Sequence, residues 1–291
     1  MKRDLNNIIS IVTPSLNQGR FLEQTIQSVI SQAGDFYIDY IIADGGSTDD
    51  SAEIIKKYDA LIKNGKFVCQ CRGVELRWWS QKDNGQSAAL NNAFCKAKGD
   101  ILAWINSDDY YDDTCVFQTI RDNFLAHGGV DLICGSGRVI NEHGREKLIC
   151  KTVEVNEDLL LKRGCNVFQP SAFFSRKIYF DVGGINEDLY YAMDFDLWIR
   201  ISQKSKSLSI DKVLSNFREW GNAKSVTSTK DFIREEKYIA KKYGGNIISF
   251  KTIRKLRRKI IIFDWLQKNL PSSYEKGKKC FYGVVDLFHY Y

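Results

Sequence analysis

Two adjacent aspartates, Asp108 and Asp109, follow an apolar run at residues 101–105 whose composition predicts a strand buried on both faces. Asn106 and Ser107 separate this run from the pair, so both carboxylates stand just past the carboxyl end of the predicted strand. Open α/β sheets bind their ligands in the crevice at that end of the strands. Carboxylate oxygens suit hard divalent cations such as Mg²⁺ and Mn²⁺. The pair therefore indicates a metal site, and a solvated acidic turn is the alternative.

The elements that would position this pair follow a β-α-β-α order. Apolar runs predict strands at residues 8–13, 40–43, 74–80 and 101–105, and helical spacing predicts helices at 21–32, 47–58, 87–98 and 114–126. This alternation predicts parallel strands with right-handed crossovers. Polar segments around Ser15, Asp44 and Asp83 would then end at the same edge as Asp108. We expect all four segments to face one crevice.

Local signals refine the elements. Ser47 and Asp50 have the spacing of a capping box at a helix start. Gly99 is placed to end the preceding helix as a C-cap. Residues 141–144 predict a hairpin turn, and residues 192–201 predict a helix with acids in its first turn, where the helix dipole favours them.

Other catalytic classes lack their signature residues. No G-x-G-x-x-G follows the first predicted strand, which argues against a dinucleotide-binding fold, and the chain has no P-loop motif. Only three histidines are present, and His127 and His143 lie beside glycines in predicted surface turns. Ser-His-Asp chemistry is therefore poorly supported.

Positive charge is concentrated at the end of the chain. The formal net charge is +6, residues 251–291 contain ten Lys or Arg against three acids, and the first 250 residues are close to neutral. Residues 250–266 mix basic with apolar side chains, so residues 250–270 are expected to meet an anionic membrane surface. A solvated helix packed on the domain is the alternative. No nucleic-acid partner is expected, because no recognition motif accompanies these residues.

Composition indicates a globular, cytoplasmic protein. The chain is 44% hydrophobic and 27% charged, and none of its eight cysteines forms a C-x-x-C pair, which favours reduced thiols. Cys69 and Cys71 are the closest pair and are expected to be structural. The first seven residues are polar, so no secretory signal is expected, and no run of eighteen apolar residues predicts a membrane span. The basic tail would make the protein peripheral at the inner face of the cytoplasmic membrane.

Five segments together resemble the inverting nucleotide-sugar glycosyltransferases of family 2. They are I-V-T-P-S-L-N-Q-G-R-F-L, D-G-G-S-T-D-D-S, D-N-G-Q-S-A-A-L-N, G-D-I-L-A-W-I-N-S-D-D and M-D-F-D-L-W-I-R. The resemblance covers about residues 7–220. It implies a GT-A fold, an α/β architecture with a mostly parallel central sheet flanked by helices and a Rossmann-like nucleotide-binding half. We expect this domain to span residues 1–225, followed by a basic helical extension at 226–291.

The resemblance also implies roles on the donor side. Asp44 is expected to hydrogen-bond the nucleotide base. The other residues expected to contact the nucleotide sugar are Thr13, Pro14, Asp83, Gly85, Gln86 and Asp108. Asp109 is expected to bind Mn²⁺ or Mg²⁺ directly, with Asp108 sharing the metal site and reaching the sugar or ribose. A nucleoside diphosphate leaves readily only when its charge is neutralised, which is the task of such a metal.

The resemblance places the catalytic base at Asp194. The acceptor hydroxyl must lose its proton as it attacks C1 of the sugar, and a positioned carboxylate can take that proton. Relatives usually have Glu-Asp here, whereas this chain has Met193 before the aspartate, which puts a second polar contact to the acceptor in doubt. Asp196 is the alternative base, and ordinary helix capping is the alternative role for both aspartates.

Aromatic residues are expected mainly in the core, with Trp198 and Trp220 better placed to meet an acceptor. Gln169-Pro170-Ser171 resembles the acceptor-side strand of the family. The residues predicted as core are Trp78, Trp79, Trp104, Phe168, Phe173 and Phe174.

The sequence thus predicts a metal-dependent inverting glycosyltransferase that uses a nucleotide sugar, most simply a UDP-sugar. Its acceptor would be a glycan, on a lipid carrier, in bacterial cell-surface polysaccharide synthesis such as that of O-antigen or capsule. One alternative is a non-catalytic binding or scaffold subunit with the same fold, which the complete set of acids disfavours. A third interpretation is a sugar-phosphate nucleotidyltransferase. That class would be expected to have a glycine-rich basic loop after the first strand, and this chain has only one glycine and one arginine there.

Overall fold

The computed structural model of the chain describes residues 7–221 and 228–247. In these residues nine strands form one sheet with helices packed on it. The strands are β1 (Ile8–Ser15), β2 (Tyr37–Asp44), β3 (Gly73–Ser80), β4 (Ile101–Trp104), β5 (Tyr110–Tyr111), β6 (Val130–Asn141), β7 (Glu146–Cys150), β8 (Ala172–Ser175) and β9 (Lys206–Glu219). The helices are α1 (Gly19–Ile30), α2 (Ser51–Lys63), α3 (Gln86–Lys96), α4 (Val116–Ala126), α5 (Glu157–Arg163), α6 (Arg176–Asp181), α7 (Met193–Lys204) and α8 (Thr229–Lys242), with a 3-10 turn at Gln169–Ser171.

The first half of the sheet is parallel, in the order β3-β2-β1-β4. Its strands are rich in β-branched residues, and those in the middle are buried on both faces, as parallel strands between helix layers must be. Ser15 pairs in register with Asp44, and Asp44 with Ser80. The polar residues that end these strands therefore lie side by side, as the β-α-β-α pattern predicted.

The second half of the sheet mixes directions. β8 runs antiparallel to both β4 and β6, β9 runs parallel to β6, and β5 pairs antiparallel with β9. Because Tyr110 pairs with Asn216, the carboxyl end of β9 lies beside the turn that follows β4. This pairing brings a segment more than 100 residues away to the acidic pair.

The aromatic core lies between the two halves. Trp104 stacks on Trp198 with ring centroids 5.5 Å apart, and Phe174 contacts both rings. Trp104, Phe173 and Phe174 are buried, which confirms their prediction as core residues. The prediction that Trp198 meets an acceptor is wrong, because its side chain is 0% exposed and its ring belongs to this stack.

Two local predictions are also wrong. Helix α2 begins at Ser51 with no side-chain cap, because the Ser47 hydroxyl donates to Asp44 instead of capping the helix. Gly99 is not the C-cap of α3, which ends at Lys96 and has Ala97 as its C-cap residue. A Cβ at Gly99 would lie 2.6 Å from the Ile8 carbonyl oxygen, so glycine allows a close backbone approach there. The hairpin at 141–144 is confirmed as the β6–β7 turn.

The remaining organisational findings concern cysteines, helices and domain limits. The seven cysteines within the described ranges are all free. No helix in residues 7–221 or 228–247 is long and apolar enough to cross a membrane. Residues 1–246 group as one compact unit, which includes α8. The domain division at residue 225 stays a prediction, and the basic segment at 250–270 lies outside the described residues.

Candidate active site

The crevice edge is organised by Asp44, the last residue of β2. Its Oδ1 accepts the Ser47 hydroxyl at 2.5 Å, and its Oδ2 accepts the Ser80 hydroxyl at 2.5 Å and the Ser47 N–H at 2.9 Å. The side chain is 0% exposed. Asp44 therefore joins the ends of β2 and β3 and fixes the glycine turn after β2, and its contact with a nucleotide base stays a prediction.

The end of β1 lies beside the end of β2 at the same edge of the sheet. Thr13 is buried, and its hydroxyl lies 3.0 Å from the Tyr40 hydroxyl. Pro14 is also buried, and the Ser15 carbonyl accepts the Gly45 N–H at 2.8 Å. Ser15 Oγ is buried and has no hydrogen-bond partner among the described residues. An unsatisfied hydroxyl at the end of a strand can serve a ligand.

The loop after β3 supplies the other predicted donor-side residues. Asp83 is exposed, and its Oδ1 accepts the Gly85 N–H at 2.9 Å. Gly85 has a φ of 103°, a backbone conformation that favours glycine, and it opens helix α3. Gln86 donates from Nε2 to Asn106 Oδ1 at 2.9 Å, so the start of α3 contacts the turn that carries the acidic pair.

The acidic pair differs in exposure. Asp109 is 1% exposed, and its Oδ1 accepts the Arg218 N–H at 2.9 Å while its Oδ2 lies 3.3 Å from Asn106 Nδ2. Asp108 is partly exposed, and its Oδ2 accepts the Trp220 Nε1–H at 2.9 Å. Asp108 is thus the more accessible carboxylate, although the sequence resemblance gave direct metal binding to Asp109.

Burial raises the pKa of both carboxyl groups. The pKa of Asp109 lies well above its usual range because of burial and then because of the charge on Asp108. Burial raises the pKa of Asp108, against the Trp220 hydrogen bond and the positive charge of Arg218. A divalent cation held by the two carboxylates would offset the free-energy cost of burying their negative charges.

The two carboxylates can hold such a cation only when a bound ligand supplies further oxygen atoms. The described residues contain no group of three or more His, Cys, Asp or Glu side chains that could hold a metal. Mg²⁺ commonly takes one or two carboxylates and fills its other positions with substrate phosphates and water. Asp108 and Asp109 fit that mode of binding together with a diphosphate.

Two residues at this site, Arg218 and Trp220, come from the end of β9. The Arg218 guanidinium donates to the Asp108 carbonyl at 3.0 Å and to Gln24 Oε1 at 2.7 Å, and it lies 4.6 Å from the centre of the Phe21 ring. Sequence reasoning gave Arg218 no role and Trp220 only a weak one. Their spacing of two residues at the end of a strand, which puts both on one face, was the available signal.

The start of α7 contacts the same region through α3. Met193 is buried, and its sulfur lies 3.0 Å from the Ser87 hydroxyl, next to Gln86. Asp194 follows in the first turn of α7, and its Oδ1 accepts the Phe195 N–H at 2.8 Å. The methionine found in place of the family's glutamate therefore docks α7 onto α3.

Asp196 is engaged elsewhere. Its side chain is 1% exposed, with Oδ2 accepting from Arg200 at 2.7 Å and Oδ1 from the Tyr243 hydroxyl at 2.9 Å. Both carboxylate oxygens of Asp196 are therefore occupied by partners within the protein. This geometry favours Asp194 over Asp196 as the base.

Asp194 also has an acidic neighbour, Glu236 of α8. Burial, and then the charge of Asp194, raise the pKa of Glu236 from 4.5 to about 7, while a Cys165 backbone N–H lowers it. A raised carboxyl pKa lowers the stability of the folded state once the unfolded chain ionises. The contribution of Glu236 to the free energy of unfolding should therefore fall as the pH rises from about 4.5 to about 7.

Glu236→Gln should remove that fall. The free energy of unfolding of the variant is expected to match that of wild type below about pH 4.5 and to exceed it by about 3 kcal/mol above pH 7, at about 1.4 kcal/mol per pKa unit. Urea unfolding at several pH values measures this difference. The exposed Glu53→Gln in α2 is the control; it keeps Glu236 and should follow the wild-type stability curve at every pH. Parallel stability curves for wild type and Glu236→Gln would contradict the prediction.

These features define an α/β protein with an acidic pair, one member of it buried, at the carboxyl ends of parallel strands. A family model described as Glycosyl transferase family 2 matches residues 10–181, and the chain belongs to that family. The motif resemblance in the sequence is thereby confirmed.

Curated relatives agree with this assignment. The chain is 25% identical over 236 residues to an uncharacterized glycosyltransferase of Rickettsia bellii, covering 76% of this chain and 31% of the relative. It is 24% identical over 213 residues to chondroitin synthase of Escherichia coli, covering 72% of this chain and 28% of the synthase. The chain thus spans about a third or less of the length of these two relatives.

Solved structures share the fold. S. aureus TarS 1-349 in complex with UDP superposes with a TM-score of 0.58 at 16% identity, covering 72% of this chain and 60% of that one. The mannosyltransferase PcManGT of Pyrobaculum calidifontis, in complex with GDP-Man and Mn²⁺, superposes with a TM-score of 0.56 at 15% identity, covering 80% and 62%. The predicted GT-A α/β fold is confirmed.

Proposed function

We propose that the chain is a metal-dependent inverting glycosyltransferase that transfers a sugar from a UDP-sugar to an acceptor hydroxyl. The observation that carries the proposal is the Asp108–Asp109 pair after β4, beside the loops that end β1, β2 and β3. A buried carboxylate, Asp109, directly beside a second, partly exposed one is costly to hold without a cation. A bound metal and diphosphate give them a function.

The chemistry divides between the two acidic regions. Mn²⁺ or Mg²⁺ held by Asp108 and Asp109 would neutralise the charge of the departing diphosphate. Trp220 and Arg218 orient the pair through the Asp108 side chain and backbone. Asp194 accepts the proton of the acceptor hydroxyl as that oxygen bonds to C1 of the sugar. A single displacement of this kind inverts the configuration at C1.

The donor nucleotide is the least constrained part. TarS was solved with UDP and PcManGT with GDP-Man and Mn²⁺, so both uridine and guanosine nucleotides bind to proteins of this fold. We favour a UDP-sugar. Thr13, Pro14, Asp44, Asp83, Gly85 and Gln86 are the residues that we propose for the nucleotide side.

The acceptor is proposed from the relatives. Chondroitin synthase makes a polysaccharide, and a lipid-linked glycan in cell-surface polysaccharide synthesis is the acceptor class that we propose. A cytoplasmic enzyme held at the inner membrane face by residues 250–270 would meet such an acceptor. Flotation with anionic liposomes tests that attachment: a chain ending at residue 250 should float less than the full chain, and equal flotation would refute it.

Donor hydrolysis tests the central proposal. The full chain should hydrolyse one of a panel of UDP- and GDP-sugars slowly when Mn²⁺ or Mg²⁺ is present, and chelation should stop the reaction. Calorimetry of UDP with Mn²⁺ is the companion measurement. Binding without turnover on any donor, with glycan acceptors supplied, would favour the non-catalytic scaffold. No nucleotide binding at all would refute the site assignment.

A further inference from the structure

The start of helix α7 lacks a cap of its own. Ala192 is the N-cap residue and offers no side-chain hydrogen bond, although the first N–H groups of a helix have no partner within it. Those of α5 and α6 are served locally, by Asn156 and Ser175. The Phe195 N–H is served within the helix by Asp194, but the N–H of Ala192 needs a partner from another element.

Glu235 of α8 provides that partner. Its Oε1 accepts the Tyr190 N–H at 3.0 Å, and its Oε2 accepts the N–H groups of Tyr191 at 2.6 Å and Ala192 at 2.5 Å. One carboxylate thus binds three consecutive backbone donors immediately before α7. Hydrogen bonds to a charged acceptor are about twice as strong as neutral ones, and a helix N-terminus favours negative charge.

Further contacts hold α8 against the same turn. The Phe232 ring lies 5.2 Å from the Tyr191 ring, and the Tyr243 hydroxyl, just past α8, donates to Asp196 at 2.9 Å. These contacts lie on both sides of Asp194 in the sequence. Glu236, the residue after Glu235, is close enough to Asp194 for the two charges to interact.

We infer that α8 is part of the active site and that Glu235 is a positioning residue, which holds the start of α7 so that Asp194 meets the acceptor hydroxyl. This inference rests on the proposed role of Asp194 as the base. α8 lies beyond residues 10–181, the part matched by the family model. A displacement of about 1 Å at a reacting group can cost about 100-fold in rate. The three hydrogen bonds that Glu235 accepts should therefore affect turnover directly.

Glu235→Gln tests the positioning role of Glu235. Glutamine keeps the shape but loses the charge and one of the two acceptor oxygens, so it can serve at most two of the three N–H donors. The variant is expected to lower kcat of transfer by at least about tenfold, with little change in donor KM or in UDP affinity. UDP binding stoichiometry by calorimetry gives the fraction of folded enzyme. Lys237→Gln, exposed on the same helix, is the matched control and should leave kcat unchanged.

A double-mutant cycle with Asp194→Asn separates positioning from general structural support. If Glu235 acts through Asp194, the kcat effect of Glu235→Gln should disappear in the Asp194→Asn background. Glu235→Asp keeps the charge and should retain a higher kcat than the glutamine variant. If Glu235→Gln does not fold, Glu235→Asp replaces it in the double-mutant cycle. Wild-type kcat in the Glu235 variants, or an equal loss in both backgrounds, would overturn the inference. Wild-type kcat in Asp194→Asn alone would instead overturn the assignment of the base.

Discussion

Replacing Asp194 with asparagine should lower kcat of sugar transfer by about 100- to 10,000-fold, the usual contribution of a general base. The amide cannot accept the proton of the acceptor hydroxyl, but it keeps the size of the side chain. UDP affinity should not change, because the proposed nucleotide side lies at the ends of β1 to β4. Release of nucleoside diphosphate in the presence of acceptor measures kcat, and calorimetry measures UDP binding.

Asp196→Asn is the matched control because it makes the same change two residues away in the same helix. Asp196 is buried against Arg200 at 2.7 Å, and breaking a buried ion pair costs about 3–5 kcal/mol. This variant should therefore lose stability, whereas Asp194→Asn should lose turnover. A folded Asp196→Asn without activity, together with an active Asp194→Asn, would reverse the two roles.

The parallel half of the fold was predictable because its pattern is local. Each of β1 to β4 is an apolar run, and helix α1, α2, α3 or α4 follows it at the next stretch of helical spacing. Parallel strands joined by such crossovers end at one edge, so the grouping of Asp44, Asp83 and Asp108 followed without coordinates. Strand ends were displaced by a few residues, since pairing continues past the apolar run.

Apart from the β6–β7 hairpin, the strand pairings of the second half were not predictable, because they join distant segments. β6 contains Gly135 and Gly137, which weaken a strand pattern in the sequence. In the fold, a Cβ at Gly137 would overlap the Phe168 ring, so glycine is required by packing there. Arg218 and Glu235 reach the site through tertiary contacts with Asp109 and with the residues before α7. The sequence within a few residues of Arg218 or Glu235 contains no pattern that predicts such a partner.

The capping-box prediction failed because a nearby carboxylate competed for the hydroxyl. The Ser47–Asp50 spacing fits a capping box, but Ser47 lies beside the carboxylate of Asp44 and donates to it at 2.5 Å. A hydrogen bond to a charged acceptor outweighs one to a helix cap. The crevice thus has an ordered turn after β2, and helix α2 begins without a side-chain cap.

Asp109→Asn should abolish the metal-dependent part of nucleotide binding. The amide keeps the shape of the side chain and can still accept the Arg218 N–H at Oδ1, but it removes one of the two charges offered to a cation. UDP affinity in the presence of Mn²⁺ should fall by at least about 100-fold, and affinity without metal should stay unchanged. The unliganded variant should be at least as stable as wild type, because it no longer buries that charge.

Comparison with two neighbouring variants shows which carboxylate binds the metal. Asp113→Asn lies outside the pair, in an exposed contact with Lys212, and should bind UDP and Mn²⁺ as wild type does. Asp108→Asn should lose metal-dependent binding if the more exposed carboxylate is a direct ligand. Loss in that variant alone would make Asp108 the ligand and Asp109 its support through Asn106 and Arg218. Retention in both variants would remove the metal from this site and, with it, the observation on which the proposed function depends.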